Sequence, residues 1–145
     1  MQKLNEFRMT VDSKSINESF ARSTVAAFVA QLDPTLEEIS DIKMAVSEAV
    51  TNCIVHAYPQ SVGKIYISAS LLAENRVKIS VRDKGCGIID IRQAMEPLFT
   101  TLGGERAGLG FAVMESFTDK IIVRSKPGKG TTVTMYKQIN GRAVL

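Results

Sequence analysis

The sequence predicts an α+β fold, a two-layer sandwich in which helices cover one face of a mixed, mainly antiparallel sheet. Two segments with a helical period precede two pairs of segments with a period of two, and a short polar turn joins each of those pairs. Strands joined by tight turns pair antiparallel, and helices usually cover such a sheet. With 145 residues, 45% of them hydrophobic, the chain can bury one core, so a single domain over residues 1–145 is expected.

The N-terminal part is predicted to form one strand and two helices. An imperfect alternation predicts the strand, and a period near 3.6 residues predicts a helix over residues 13–32. Asp33 and Pro34 end this helix, because proline disfavours a helical residue before it. A second helix is expected over residues 35–57, where apolar residues recur in steps of three and four. The apolar positions are Leu4, Phe7, Met9 and Val11 in the strand, Ile16, Phe20, Ala27, Phe28 and Leu32 in the first helix, and Ile39, Ile42, Val46, Ala49 and Cys53 in the second.

The remaining part of the chain is predicted to form two hairpins with helical segments between them. "KIYISASLL" and "RVKISVR" alternate, and the gap "AEN" is typical of a hairpin turn. A glycine-punctuated region with a short helix is expected over residues 83–107, followed by a helix in "GLGFAVMESF". "KIIVRS" and "TTVTMYKQI", joined by "KPGKG", predict the second hairpin.

Composition excludes several classes of function. No run approaches the roughly 20 apolar residues that cross a bilayer, and "MQKLNEFRMT" lacks the apolar centre of a secretory signal. We therefore expect a cytoplasmic protein with no membrane partner. The net charge of +3 is interspersed, so no direct contact with nucleic acid is expected. Cys53 and Cys86 lack metal-ligand spacing and are expected to be reduced.

The second helix carries a polar strip beside its apolar stripe. Glu48, Asn52 and His56 lie at i, i+4 and i+8, so they share one line of the helix. An amide oxygen is a hard ligand for Mg²⁺, and a carboxylate one turn away can accept a proton. The alternative is a set of exposed polar residues at a helix border. His56 is expected to be a structural residue at the helix end and not a catalyst.

A second motif, "VRDKGCGI", leaves a strand and enters a loop. Asp83 can accept a hydrogen bond from an exocyclic amino group such as that of adenine, while Gly85 and Gly87 let a ring approach the backbone. Guanine presents a carbonyl there and would be rejected. An ordinary Asp-Gly turn is the alternative. A dinucleotide fingerprint is disfavoured because Asp90 stands at the third glycine position and no parallel βαβ unit surrounds it.

A third motif, "ERAGLGFAVMESF", places Gly108 and Gly110 at a helix start, with Arg106 just before them. Unobstructed amides at a helix N-terminus bind phosphate, although a glycine-rich helix entry without a ligand is the better account of such a pair taken alone. "PGKGTT" lacks the spacing of a phosphate-binding P-loop and is expected to be a hairpin turn.

In combination, "EAVTN", "DKGCG", "GLG" and "GTT" resemble the motifs of the superfamily of gyrase, Hsp90, histidine kinases and mismatch-repair ATPases. More closely, the chain resembles the anti-sigma factor kinases of spore-forming bacteria. Within this family, the motifs are most similar to those of the anti-sigma F factors of early sporulation, to which the stress-response anti-sigma B kinases are related. "NESFAR", "VAQLDPT", "VSEAVTN" and "EPLFTT" also match this family. The resemblance spans residues 5–137, with a lid loop shortened to "LGGE" at residues 102–105.

The resemblance implies a Bergerat-type ATP-binding fold, with ATP or ADP and Mg²⁺ bound between the helices and the lid. The resemblance implies that Glu48 is the catalytic carboxylate, that Asn52 is the Mg²⁺ ligand and that Arg22 contacts protein partners. At the adenine it implies that Asp83 accepts from the amino group, that Gly85 and Gly87 shape the pocket, and that Thr131 supports the base through water. The implied phosphate contacts are Arg106, Gly108 and Gly110. A solvated helix arginine is the alternative for Arg22.

The resemblance also implies a dimeric anti-sigma factor that sequesters a sporulation sigma factor, sigma F, and uses ATP to phosphorylate a serine of an anti-anti-sigma protein. Two alternatives stay open, an anti-sigma B type kinase and a nucleotide-gated binding module without phosphotransfer. A histidine-kinase catalytic domain is disfavoured because the only histidine, His56, lies inside the proposed ATP helix.

Overall fold

The computed structural model describes residues 2–88 and 106–141. Within these ranges, five strands form one sheet in the order β1-β2-β3-β5-β4. Every pairing between neighbours is antiparallel, which confirms the predicted α+β class, and the described part contains no parallel pair. The strands are β1 (Lys3–Asp12), β2 (Lys64–Leu72), β3 (Arg76–Asp83), β4 (Lys120–Lys126) and β5 (Gly130–Gln138). The predicted short helix before residue 106, the motif "EPLFTT" and the lid at residues 102–105 lie outside the described residues.

Three helices of the described part complete the sandwich: α1 (Ile16–Val29), α2 (Leu36–Asn52) and α3 (Arg106–Ser116). A 3₁₀ turn, Ala30–Leu32, extends α1, and a π turn, Cys53–Ala57, extends α2 to the predicted end of the second helix. Helix α2 packs against both α1 and α3. No helix in the described ranges is long and apolar enough to cross a membrane.

The core lies between the helices and the inner face of the sheet. Alternate residues of β2 and β3 point into it, as the period of two predicts. The predicted apolar stripe of α2 is also buried from Ile42 onward, with Ile39 half-buried against the core, and it continues into the π turn at Cys53. Buried core residues include Ile65, Ile67, Ala69 and Leu71 of β2, Val77, Ile79 and Val81 of β3, and Ile42, Val46, Ala49 and Cys53 of the second helix.

The predicted inner face of α1 is wrong at Ile16, Phe20 and Ala27, whereas the predicted Phe28 and Leu32 do pack against the core. Ile16 is 79% exposed and Phe20 is 55% exposed, whereas Ala21, Val25 and Val29 are fully buried. A helical period fits two faces of α1, one with residues 16, 20 and 27 and one with residues 21, 25 and 29. The period alone could therefore not decide which face is buried. In the first turns of α1 the stripe of smaller side chains packs against the core, and Ile16 and Phe20 face outward.

A buried glutamate joins the start of α2 to the end of the described chain. The hydroxyl of Thr35 accepts from the backbone N–H of Glu38, and the Glu38 carboxylate accepts from the N–H of Thr35, which completes a capping box. The same carboxylate accepts from the N–H groups of Asn140 at 2.7 Å and Gly141 at 3.1 Å. Burial acts to raise the pKa of Glu38, but these donors outweigh it and hold the pKa below its ordinary value.

Replacing Glu38 by Gln is expected to lower the free energy of unfolding by about 1–3 kcal/mol at pH 7, because charge-assisted hydrogen bonds are lost. Since the folded-state pKa is lowered, this stabilisation is present above the ordinary pKa of 4.5 and is lost as the pH falls through the folded-state value. Urea unfolding at pH 7 and pH 3 measures it, with Glu37→Gln, an exposed position in the same helical turn, as the control. Equal stability of Glu38→Gln and the wild type at pH 7 would contradict the prediction.

Candidate active site

Four elements bring the predicted polar residues to one end of the sandwich. Asn52 is the last residue of α2, and Glu48 lies one turn before it; both are half-buried. Asp83 is the last residue of β3 and pairs with Thr131 at the start of β5. Helix α3 approaches the end of α2 at Gly110. The site therefore lies where α2 and β3 end and where α3 and β5 begin.

The side-chain amide of Asn52 is the central feature of the site. Its Oδ1 and Nδ2 atoms are both buried, and neither has a hydrogen-bond partner among the described residues. Buried polar side-chain atoms nearly always have partners, so an unsatisfied amide indicates that a ligand belongs beside it. An amide oxygen suits a hard cation such as Mg²⁺, so the residues present fit the cofactor that the resemblance implies.

Gly110 allows α3 to come close to this amide. A Cβ atom added at Gly110 would lie 3.0 Å from Oδ1 and 3.1 Å from Nδ2 of Asn52. Helix α3 begins at Arg106, so Gly108 lies in its first turn and Gly110 beyond the four N–H groups that a helix start leaves unpaired. This position indicates a packing role for Gly110. Phosphate contacts of Arg106, Gly108 and Gly110 stay predictions, and the side-chain surroundings of residues 106–109 lie outside the described part.

Asp83 is a buried carboxylate with three hydrogen-bond donors. Its Oδ1 accepts from the backbone N–H of Gly85 at 2.9 Å and of Thr131 at 3.2 Å. Its Oδ2 accepts from the thiol of Cys53, with the sulfur 3.6 Å away. Burial raises the pKa of Asp83 above its ordinary value, although the three donors act in the opposite direction. Burial and the nearby Asp83 raise the pKa of Cys53 well above its usual range, so this group is a thiol.

The loop of residues 84–87 is seated on the π turn. A π turn disrupts the regular ladder of helical hydrogen bonds, and the carbonyl of Ala57 accepts from the N–H of Cys86 at 3.3 Å. The thiol of Cys86 donates to the carbonyl of His56 at 3.0 Å. At Gly85 an added Cβ would lie 2.6 Å from the carbonyl carbon of Ala57, and closer still to its oxygen. Only glycine permits this approach at position 85.

Two further contacts hold the same loop. The Tyr58 hydroxyl accepts from the N–H of Lys84 at 2.7 Å and donates to the carbonyl of Lys64 at 2.8 Å. Gly87 has a φ of 75°, and an added Cβ there would lie 2.8 Å from the carbonyl carbon of Lys126. The predicted role of Gly87 in shaping the loop therefore has a steric basis.

Thr131 contributes its backbone to Asp83 and its hydroxyl to Ser125. The two hydroxyl oxygens are 2.8 Å apart, and the Ser125 hydroxyl also donates to the carbonyl of Gly130 at 2.9 Å. Thr131 therefore donates to Ser125 and keeps lone pairs as an acceptor. A water-mediated contact with the base stays a prediction. The sequence did not single out Ser125, Tyr58 or Cys53 for the site; only the position of Cys53 next to Asn52 pointed to it.

Arg22 lies on α1, in a separate group of contacts. Its Nη1 atom is 2.7 Å from Oε1 of Glu18, and Glu18 also accepts from the hydroxyl of Ser47 on α2. The Arg22 side chain is 39% exposed. The Glu18 carboxylate contacts both the Arg22 guanidinium on α1 and Ser47 on α2. The orientation of the Arg22 side chain is therefore fixed by the packing of these two helices.

A basic depression of about 470 Å³ borders the site on the sheet side. Asp83 and Thr131 contribute to its lining, but Asn52 does not. Its cationic residues are Arg82, Arg124, Lys126 and Lys129. Arg82 and Arg124 alternate along their strands with residues of the inner face, so the depression opens toward the outer face of the sheet. The depression and the unsatisfied amide of Asn52 are therefore separate features of this end of the sandwich.

Comparisons with known proteins agree with this geometry. A family model described as histidine kinase-like ATPase domain matches residues 12–137. The RsbU and RsbW domains of Rv1364c from Mycobacterium tuberculosis superpose with a TM-score of 0.69 at 23% identity, covering 97% of this chain and 35% of that one. The mycobacterial sensor histidine kinase MprB superposes with a TM-score of 0.58 at 14% identity, covering 94% and 100%. The fold and site thus define an ATPase domain of the histidine kinase type.

Sequence relatives narrow the class further. An anti-sigma F factor of Caldanaerobacter subterraneus subsp. tengcongensis is 59% identical, over 96% of this chain and 97% of the relative. The anti-sigma F factor of Clostridium acetobutylicum is 53% identical, over 92% and 94%. That of Geobacillus kaustophilus is 51% identical, over 93% of each. The chain belongs to the family of anti-sigma F factors, within the histidine kinase-like ATPase domains.

Proposed function

We propose that this chain is an anti-sigma factor and an ATP-dependent protein-serine kinase of a single domain. It holds a sporulation sigma factor of the sigma F type and phosphorylates a serine of the anti-anti-sigma protein that opposes it. The observation that carries the enzymatic part is the buried, unsatisfied amide of Asn52, one helical turn after Glu48. The relatives at 51–59% identity, all named anti-sigma F factors, favour sigma F over a stress-response sigma factor.

The adenine end of the nucleotide is assigned to Asp83. Its carboxylate is aligned by the N–H groups of Gly85 and Thr131, and it offers an acceptor to the adenine amino group. A guanine carbonyl at the same place would meet a negatively charged acceptor and lose its hydrogen bond, so discrimination against GTP follows. The rigid seating of the 84–87 loop on the π turn keeps this acceptor in place.

The phosphate end is assigned to Asn52, Glu48 and the start of α3. The amide oxygen of Asn52 would hold Mg²⁺, which neutralises charge on the phosphate oxygens when the nucleotide is bound. Glu48 accepts the proton of the partner's serine hydroxyl. The serine oxygen then forms a bond to the γ-phosphorus, the bond between that phosphorus and the β–γ bridging oxygen breaks, and ADP leaves. We assign Arg106 to neutralising charge on the phosphates.

Phosphorylation would switch partners through charge. A phosphoserine carries about −2 at neutral pH, and it disrupts an interface by repulsion and desolvation. We assign Arg22 to the surface that meets the protein partners, and we propose that the active species is a homodimer. Sedimentation equilibrium of the purified chain tests the dimer, and a single monomeric species at micromolar concentration would exclude it.

The experiment that tests the function is phosphoryl transfer. The purified chain, Mg²⁺ and γ-labelled ATP are combined with the anti-anti-sigma protein of the same genome. Label on a serine of that partner is expected. ATP binding without transfer would instead establish a nucleotide-gated binding module, and a label on His56 of the chain itself would indicate histidine-kinase chemistry.

Replacing Asp83 by Asn is expected to weaken ATP binding by about 10- to 100-fold, because a charge-assisted hydrogen bond is lost and an amino group faces the base. Isothermal calorimetry measures the affinity. Asp41→Asn is the matched control. Asp41 forms an ion pair with Lys137, with 3.2 Å between the charged atoms, and it is not part of the 84–87 loop. Equal affinity of Asp83→Asn and the wild type would remove Asp83 from the adenine site.

Replacing Arg22 by Ala is expected to leave the ATP affinity unchanged and to weaken capture of the sigma factor by about tenfold, as for a truncated interface arginine. Surface plasmon resonance with the immobilised sigma factor measures capture. Lys43→Ala removes an exposed cation from the neighbouring helix and serves as the control. If both variants capture the sigma factor as the wild type does, Arg22 has no part in this capture.

A further inference from the structure

Cys53 occupies an unusual position between the two halves of the site. It directly follows Asn52 and begins the π turn, where its carbonyl accepts from the N–H of Tyr58 at 3.1 Å. Its side chain is only 3% exposed. The sulfur lies 3.6 Å from Oδ2 of Asp83, so the thiol donates to the carboxylate that the proposed function assigns to the adenine amino group.

The carboxylate of Asp83 has few acceptor positions left for a bound base. An ionised carboxylate has about four acceptor positions, two on each oxygen. The N–H groups of Gly85 and Thr131 take both positions on Oδ1. The Cys53 thiol takes one position on Oδ2. The donors of residues 2–88 and 106–141 leave one acceptor position, on Oδ2, and a single amino group of a base can fill it.

The donors act on different oxygens and therefore fix the rotation of the carboxylate. The two backbone donors hold Oδ1, and rotation about the bond to the carboxyl carbon would require Oδ2 to break its contact with Cys53. Asp83 is 6% exposed, so water has little access to replace the lost donor. A side chain without a donor at position 53 would leave Oδ2 with two open positions in place of one.

We propose that Cys53 is a positioning residue for nucleobase selection, whose thiol fixes the Asp83 carboxylate so that its one open acceptor faces the 6-amino group of a purine. This inference rests on the proposed ATP site. Cys53 itself does not touch the phosphates or the reacting atoms; it acts on binding through Asp83. If Cys53 served only as a packing residue of the core, it would have no effect on the choice of base.

The test compares two nucleotides in three proteins. ATP and purine riboside triphosphate, which lacks the 6-amino group, are titrated by calorimetry into the wild type, Cys53→Ala and Cys53→Ser. The wild type is expected to prefer ATP. Cys53→Ala is expected to lose about fivefold in ATP affinity with no change for the analogue, because only ATP uses the open acceptor. Cys53→Ser keeps a donor of similar size and is expected to restore the preference.

The outcomes separate this inference from the proposed function. An equal loss for ATP and the analogue in Cys53→Ala, or no loss for either, would show that Cys53 is a packing residue and would overturn the inference alone. Failure of Cys53→Ser to restore the preference would also overturn it. A wild type that binds both nucleotides equally would overturn the base-reading role of Asp83 together with the inference. Thermal unfolding of each variant, followed by circular dichroism, confirms that all three proteins are folded in the titrations.

Discussion

Replacing Glu48 by Gln is expected to slow phosphoryl transfer to the partner serine by about 10²-fold or more, which is the usual effect of removing a general base. ATP affinity is expected to stay close to that of the wild type, because the amide keeps the size of the side chain and Asp83 and Asn52 are unchanged. Single-turnover transfer from γ-labelled ATP measures the rate, and calorimetry measures the affinity. A loss confined to the rate is the signature of an interaction made only in the transition state.

Glu37→Gln is the matched control, because it makes the same chemical change on an exposed position of the same helix. It is expected to transfer phosphate at the wild-type rate. A Glu48→Gln variant as fast as this control would leave the serine proton to another acceptor. A variant that no longer binds ATP would place Glu48 in binding and not in catalysis.

Replacing Gly85 by Ala is expected to weaken ATP binding by about 10²-fold, because the N–H of residue 85 is drawn away from Asp83 and the adenine acceptor is displaced. The added Cβ would lie 2.6 Å from the carbonyl carbon of Ala57, which is backbone and cannot rotate aside. Either the 84–87 loop or the π turn must move. The melting temperature is also expected to fall, since Cys86 would lose its hydrogen bonds to Ala57 and His56.

Gly128→Ala is the control for this substitution. A Cβ at position 128 meets nothing within 4 Å, although its φ of 77° makes alanine unfavourable by about 1–2 kcal/mol. The control is expected to lose stability and to keep the ATP affinity of the wild type. Equal ATP affinity in Gly85→Ala would show that the loop accommodates the methyl group without moving the acceptor.

Local pattern was sufficient for most of the fold. The period of two in β2 and β3 predicts which residues are buried, because the two faces of these strands differ strongly in polarity. The steps of three and four in α2 do the same. In α1 two stripes compete, and the sequence favoured Ile16 and Phe20, which are exposed, over Ala21 and Val25, which are buried. The size of the space beside α2 decides between them, and that space is a property of the tertiary structure.

The candidate site, too, could be predicted from local sequence patterns only in part. Motif spacing predicts that Glu48 and Asn52 share a helix face, because the helical repeat alone requires it. The contact of Cys53 with Asp83 joins residues 30 apart in sequence. The π turn that presents Cys53 and receives the 84–87 loop depends on packing against that loop. Short-range patterns carry no information on such contacts, so Cys53 could be predicted only as a core residue.

The capping box of α2 has a consequence for the order in which the chain becomes structured during its synthesis. Glu38 accepts from Asn140 and Gly141, which lie 102 and 103 residues later. The helix that carries Glu48 and Asn52 therefore gains these two hydrogen bonds only after residues 140 and 141 have been synthesised. Nascent chains that stall before residue 140 would expose an incompletely anchored nucleotide helix to proteases. The start of this helix is thus fastened by backbone groups that are translated more than 100 residues after it.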